Sequence, residues 1–189
     1  MNLIVANWKM NPASAEEARA IASRIERGLL GVDRQKVETV ICPPHVFLSA
    51  IRHSLHFAAL GAQDCSAAPE DTGAFTGEVS AKMLRGIGAR YCIIGHSDRR
   101  AMGEDDKIVN QKIGQAIKHG IKPVLCVGFG AKKGASAASV RRIVKSQIQK
   151  ALRPAYGTGR QAQGLTRGEG LVIAYEPVWA IGTGKPATP

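Results

Sequence analysis

The sequence predicts an α/β fold built on a parallel sheet, and three observations carry that expectation. Short β-branched runs alternate with helical patterns along the chain, as βα units joined by crossover helices require. The strand-like runs are nearly continuous in apolar residues, which suits strands buried on both faces. The 189-residue length, with 44% hydrophobic and 22% charged residues, suits a globular chain with one sizeable core.

Each element has its own local reason. Leu3 to Val5 is strand-like, and Ser14 to Leu30 has helical spacing, with Ser14 and Glu17 placed as a capping box. Val37 to Cys42 is a second strand broken by Pro43-Pro44, and His45 to Arg52 is a short helix. His56 to Leu60 reads as a third strand, followed by a long connection from Gly61 to Gly77 and a helix over Glu78 to Arg85. Tyr91 to Ile94 is a fourth strand. Glu104 to His119 is a helix closed by Gly120, because glycine accepts the left-handed turn after a last helical residue. Pro123 to Val127 is a fifth strand, an amphipathic basic helix follows, and Leu171 to Tyr175 is a sixth strand.

Two architectures fit six such units: an open doubly wound sheet or a closed (β/α)8 barrel. No GxGxxG follows Val5, so the dinucleotide-binding sheet loses its main support. A full barrel takes about 250 residues and eight strands, so a barrel reading leaves this chain about two units short.

The charge balance is 26 basic against 15 acidic residues, a formal net charge of +11. Nine of the bases lie between residues 131 and 168, and that window contains no acid. Val140, Ile143, Val144, Ile148, Ala151 and Leu152 recur there at helical spacing with the bases mostly between them, which gives an amphipathic helix with a basic outer face. No aromatic residue accompanies the bases between 131 and 153, so base stacking has no platform and nucleic acid is not an expected partner. A solvated face that weakly attracts anions is the simpler reading.

No apolar run approaches the roughly 20 residues of a membrane helix. Met1 to Val5 shows no basic n-region followed by a long apolar stretch, so neither membrane association nor a secretory signal is expected. Cys42, Cys65, Cys92 and Cys126 have no CxxC or zinc-like spacing. Three of them lie in strand-like runs, which points to buried reduced thiols and a cytoplasmic setting.

The candidates for chemistry follow from topology. In a parallel sheet all strand C-termini share one rim. Lys9 lies just past the first strand, His96 just past the fourth and Glu176 just past the sixth. A glutamate can act as a carbon base, a histidine as acid or electrophile, and a lysine as a fixed positive charge. His96 has only Asp98 near it at ligand spacing, so no metal is expected. The segment after Glu176 is bracketed by Pro177 and Pro186 and contains Gly182 and Gly184, a pattern of stiff ends and a compliant body that suits a lid.

Four separated motifs carry a resemblance that covers essentially the whole chain. They are Ala6 to Asn11 (ANWKMN), Gly73 to Ser80 (GAFTGEVS), Gly95 to Arg100 (GHSDRR) and Ala174 to Lys185 (AYEPVWAIGTGK). In these residues, their order and their separations the chain resembles the triosephosphate isomerase family. The resemblance implies a single (β/α)8 TIM-barrel domain over residues 1–189, incomplete at its C-terminus. It implies interconversion of dihydroxyacetone phosphate and D-glyceraldehyde 3-phosphate, a step of glycolysis and gluconeogenesis, without a cofactor. Glu176 would move the proton between carbons, His96 would polarise the carbonyl, Lys9 would offset substrate charge, and Asn7 would hydrogen-bond the substrate. Gly182 would donate its backbone N–H to the phosphate, and Ser97 and Asp98 would support the site. The resemblance further implies a homodimer in which the loop carrying Phe75 and Thr76 enters the other subunit beside its Asn7 and Lys9.

Three departures from the family pattern set further expectations. Asp98 stands where the family usually has glutamate, and its shorter side chain is expected to fall short of Lys9. Phe129 also replaces a usual glutamate, which is expected to remove an ion partner of Arg99 or Arg100. The family's last two βα units have no counterpart here, so open sheet edges and weak or no turnover are expected of a 189-residue polypeptide. A catalytically weak or inactive remnant that binds anions or a partner is therefore the alternative reading.

Overall fold

The computed structural model describes residues 1–153 and 170–180. Its strands are β1 (Asn2–Asn7), β2 (Val37–Cys42), β3 (Ala59–Ala62), β4 (Tyr91–Ile94), β5 (Lys122–Val127) and β6 (Val172–Tyr175). Its α-helices are α1 (Ala15–Gly28), α2 (Leu48–Ile51), α3 (Ala81–Gly86), α4 (Ser97–Ala101), α5 (Asp106–Lys118) and α6 (Ala137–Ala151). The strands form one parallel sheet in the order β1-β2-β3-β4-β5-β6. The sheet curls through 268° with helices around it, the arrangement of a partial (β/α)8 barrel with six units.

Strand alternation divides the core into two layers. Val40, Cys42, Tyr91, Ile93, Val124 and Cys126 point to the inside of the curl. Their neighbours Ile41, Cys92, Ile94, Leu125 and Val127 point outward and meet Ala18 and Ala22 of α1 and Val109, Ile113 and Ala116 of α5. Both faces are therefore dry, which is why the strands read as unbroken apolar runs. At about 25 cal/mol per Å2 each fully buried aliphatic side chain contributes roughly 1.5–3 kcal/mol.

Among the described residues β1 and β6 are the outermost strands. Ile4 on β1 and Ile173 and Tyr175 on β6 are exposed, as the reading of open edges expects. No described helix is long and apolar enough to cross a membrane.

Several boundaries differ from the sequence reading. The third strand is Ala59–Ala62, not His56 to Leu60. The reason is Glu26 of α1, whose buried carboxylate accepts the backbone N–H groups of His56, Phe57 and Ala58 at 2.8, 2.9 and 2.8 Å. Donors committed to Glu26 cannot join a ladder, so pairing starts one residue later. Helix α3 begins at Ala81 instead of Glu78, because Ser80 is the residue that caps it, accepting from Met83 N. At α1, Ser14 accepts from Glu17 N as expected, but Glu17 returns its bond to Ala13 N, one residue before the cap. Helix α4 was not read from the sequence at all. On α6, Arg141, Arg142 and Lys145 are exposed, while Val144 and Ile148 lie against the core, as the solvated-face reading requires. Arg160 and Arg167 of the basic window lie outside the described residues.

Candidate active site at the C-terminal rim

The first rim element leaves β1 through Asn7. Lys9 has φ 52°, a left-handed conformation that costs a non-glycine residue energy unless its surroundings enforce it. Two side chains do so. Asn7 Oδ1 accepts the Lys9 N–H at 2.9 Å, and Gln63 Nε2, at the end of β3, donates to Lys9 O at 2.8 Å and to Cys42 O at 2.9 Å.

The second element follows β4. Gly95 has φ 72°, and a Cβ there would press on Val109 and on Arg100 Nη2 at 3.1–3.3 Å. The chain can thus turn sharply into α4, with His96 as its N-cap. His96 Nδ1 accepts the Asp98 N–H at 3.1 Å. A ring nitrogen that accepts carries no proton, so in the neutral imidazole the hydrogen is on Nε2. That nitrogen faces Glu176 Oε1 at 2.8 Å.

The third element follows β6. Glu176 N–H extends the β5–β6 ladder by donating to Val127 O at 2.8 Å. Its carboxylate then has two anchors: Oε1 accepts from His96 Nε2, and Oε2 accepts the Ser97 N–H at 2.9 Å. Both side chains are 12% exposed, so the pair is shielded yet reachable. Gly128 makes room for this strand end, since a Cβ there would lie 2.5 Å from Glu176 O. Gln147 of α6 holds the Gly128 turn by accepting from Gly128 N (2.7 Å) and donating to Phe129 O (2.9 Å).

Lys9 Nζ meets Asp98 Oδ2 at 3.1 Å. This corrects the expectation that aspartate would fall short: α4 starts so close to the rim that the shorter side chain spans the gap. With phenylalanine at 129, the neighbouring arginines pair with other carboxylates. Arg99 pairs with Asp64 at 3.0 Å and Glu104 at 3.5 Å, and Arg100 donates to Gly95 O at 2.9 Å and Asp106 at 2.8 Å. Arg100 Nη2 alone is buried without a hydrogen-bond partner on that guanidinium.

Asn7, Lys9, Gln63, His96 and Asp98 share one cavity of about 340 Å3. A buried ion cluster supports its wall. Lys112 Nζ on α5 donates to both oxygens of Asp64 at 2.8 and 2.7 Å and to Glu104 Oε2 at 2.5 Å. Burial pushes the Asp64 carboxyl above its usual value, in spite of the Lys112 charge beside it. Burial alone would lower Lys112, but the attraction of Asp64 and Glu104 outweighs it and holds the amine above its usual value.

The structure thus brings Asn7, Lys9, His96, Ser97, Asp98 and Glu176 together at one rim. Phe75 and Thr76 lie outside the cavity, on the loop between β3 and α3, with exposed side chains. Gly182, and with it the expected lid, lies outside the described residues. Sequence reasoning missed Gln63, Gly128 and the Asp64–Lys112–Glu104 cluster. Gln63 carried a usable signal, because it directly follows β3 and so sits at the same rim as the residues that were found.

Comparisons with known proteins point to one family. The family model described as triosephosphate isomerase matches residues 2–189. The chain is 42% identical to the triosephosphate isomerase of Roseiflexus sp. (strain RS-1) over 190 residues, covering 99% of this chain and 69% of that protein. It is 42% identical over 191 residues to that of Carboxydothermus hydrogenoformans, with 98% and 70% covered. It is 37% identical over 203 residues to that of Shewanella sp. (strain ANA-3), with 99% and 70% covered.

Proposed function

The chain belongs to the triosephosphate isomerase family, and from that premise we propose that its rim site interconverts dihydroxyacetone phosphate and D-glyceraldehyde 3-phosphate. The observation that carries the reading is the Glu176 carboxylate held between His96 Nε2 and Ser97 N–H at the rim that also carries Lys9. The substrate enters by displacing the His96–Glu176 hydrogen bond. Glu176 takes a proton from the carbon beside the carbonyl, and the electron pair moves onto the carbonyl oxygen. His96, with its proton on Nε2, donates to that oxygen. The ammonium of Lys9 offsets the negative charge of the enediolate and of the phosphate. Glu176 then returns its proton to the carbon that bore the carbonyl, while His96 takes back a proton from the neighbouring hydroxyl as that oxygen becomes the new carbonyl, so bonds and protons balance without an added electron carrier or cofactor. Asn7 fixes Lys9 and donates to the substrate oxygen. Asp98 orients both Lys9 and His96, and Gly182 supplies a phosphate N–H from the lid.

Two copies work as a homodimer in this reading. The Phe75–Thr76 tip of one copy enters the 340 Å3 rim cavity of the other, beside Lys9. A cytoplasmic setting is supported by four free, buried cysteines.

The test is turnover of glyceraldehyde 3-phosphate by the purified chain beside Glu176→Gln. Removing the base should lower turnover by roughly 10^2–10^4-fold. Equal background rates in both proteins would overturn the catalytic reading. They would favour the alternative, an anion- or partner-binding protein, for which the shallow groove of about 370 Å3 along Arg141, Arg142 and Lys145 on α6 is the supporting observation.

A further inference from the structure

The loop that carries Phe75 and Thr76 runs from the end of β3 to the start of α3. Its base is closed by Ser66 N–H donating to Val79 O at 2.9 Å. Its tip is shaped locally: Phe75 N–H bonds Gly73 O and Glu78 N–H bonds Phe75 O, both at 3.0 Å. Gly73, at φ 151°, lets the Phe75 ring lie against the backbone, where a Cβ would stand 3.1 Å from Cε2.

Between base and tip the loop is tied to a different element. The Asp71 carboxylate accepts from Lys118 Nζ at 2.9 Å and from His119 Nε2 at 2.7 Å, at the end of α5. Lys82, in the first turn of α3, adds a second ammonium at 3.7 Å from the other oxygen. One turn back on α5, Gln115 Nε2 donates to Pro69 O at 3.2 Å. The hydrogen bond from Lys118, and behind it that from His119, holds the Asp71 carboxyl below its usual value. None of these groups lines the rim cavity of its own chain. Their shared effect is to hold a projecting tip still, and a segment that is ordered before it docks does not pay the ordering cost on docking.

We propose that Asp71, clamped by Lys118 and His119 beside the Gln115–Pro69 bond, is the positioning group that sets how tightly the Phe75–Thr76 tip seats in a second copy of this chain. The clamp therefore decides the protein concentration at which the paired form prevails. This rests on the two-copy reading above and adds to it the residues that tune the affinity.

The test is the dimer dissociation constant by sedimentation, for the full chain, Asp71→Asn, His119→Gln and Asp71→Glu. Far-UV circular dichroism of each variant checks that it folds. Asp71→Asn should weaken pairing by about tenfold or more, equivalent to 1.4 kcal/mol. His119→Gln should weaken it less, because Lys118 remains. Asp71→Glu, which keeps the charge, should restore most of the affinity, a rescue that a role in packing alone would not give. Amide exchange should quicken over residues 66–79 in Asp71→Asn and stay unchanged in α1. Activity lost on diluting the variant should return on concentrating it. Dimers of unchanged affinity in Asp71→Asn and His119→Gln would overturn this proposal and leave the two-copy reading standing. A chain that stays monomeric at every concentration would overturn both.

Discussion

Lys9 holds a left-handed backbone while its side chain reaches Asp98, and Gln63 is what allows both at once. Gln63→Leu keeps the volume but leaves Lys9 O without its donor, while Cys42 O keeps the Trp8 N–H at 3.0 Å. It should cost roughly 1–3 kcal/mol of stability and lower kcat/KM, as Lys9 drifts from the rim. Thermal unfolding and steady-state kinetics on the one variant check both. Gly128 is the other residue whose role is steric. An alanine Cβ would lie 2.5 Å from Glu176 O, so the end of β6 must shift and carry the Glu176 carboxylate with it. Gly128→Ala should reduce turnover by about 10^2-fold, the usual result of misplacing a reacting group by an ångström. These two residues also mark the limit of what the sequence displayed. His96, Glu176 and Lys9 were legible because strand C-termini in a parallel sheet share a rim. Gly128 was not, because its importance is a distance to a backbone oxygen far along the chain.

At the scale of elements, alternation and capping residues located all six strands, and the misplacements came from side chains reaching across the fold. Glu26 decided where β3 begins, from a position 30 residues before the amides it binds. Helix α4 escaped the sequence reading because five residues are too few to display a helical period, and its cap is the histidine already assigned to chemistry. Glu26→Leu should test the first point. It leaves three backbone donors without their acceptor and should cost at least about 2 kcal/mol, lowering Tm by roughly 4–8 °C. Glu26→Gln, which keeps one acceptor oxygen, should cost less.

Across the whole molecule, several buried neutral acids set the response to alkali. Burial, and then the hydrogen bond to Glu38, pushes the Tyr91 hydroxyl from 10.0 to about 12. Burial also pushes the Cys42 thiol from 9.0 to about 12. The unfolded chain releases these protons first, so the native state binds more protons over that range and stability falls as pH rises. Lys112, whose folded value is also raised, adds a loss of the same sign above its ordinary range. Calorimetric Tm should therefore decline between pH 9 and about 12, and Tyr91→Phe should flatten the part above pH 10. The sheet itself is unevenly stitched. Strands β1 and β2 pair from Asn2↔Val37 to Asn7↔Cys42, while β3 meets β2 only at Val40↔Ala59 and Ile41↔Leu60, and β4 only at Gly61↔Tyr91 and Ala62↔Cys92. Asn7 and Lys9 belong to the first side of that seam, and His96 and Glu176 to the second. The few bonds that cross it at the rim, from Gln63 to Lys9 and from Lys9 to Asp98, work as a clasp. A breathing motion along β3 would leave each half intact and still part Lys9 from Glu176, so the rim would come apart long before the sheet melts.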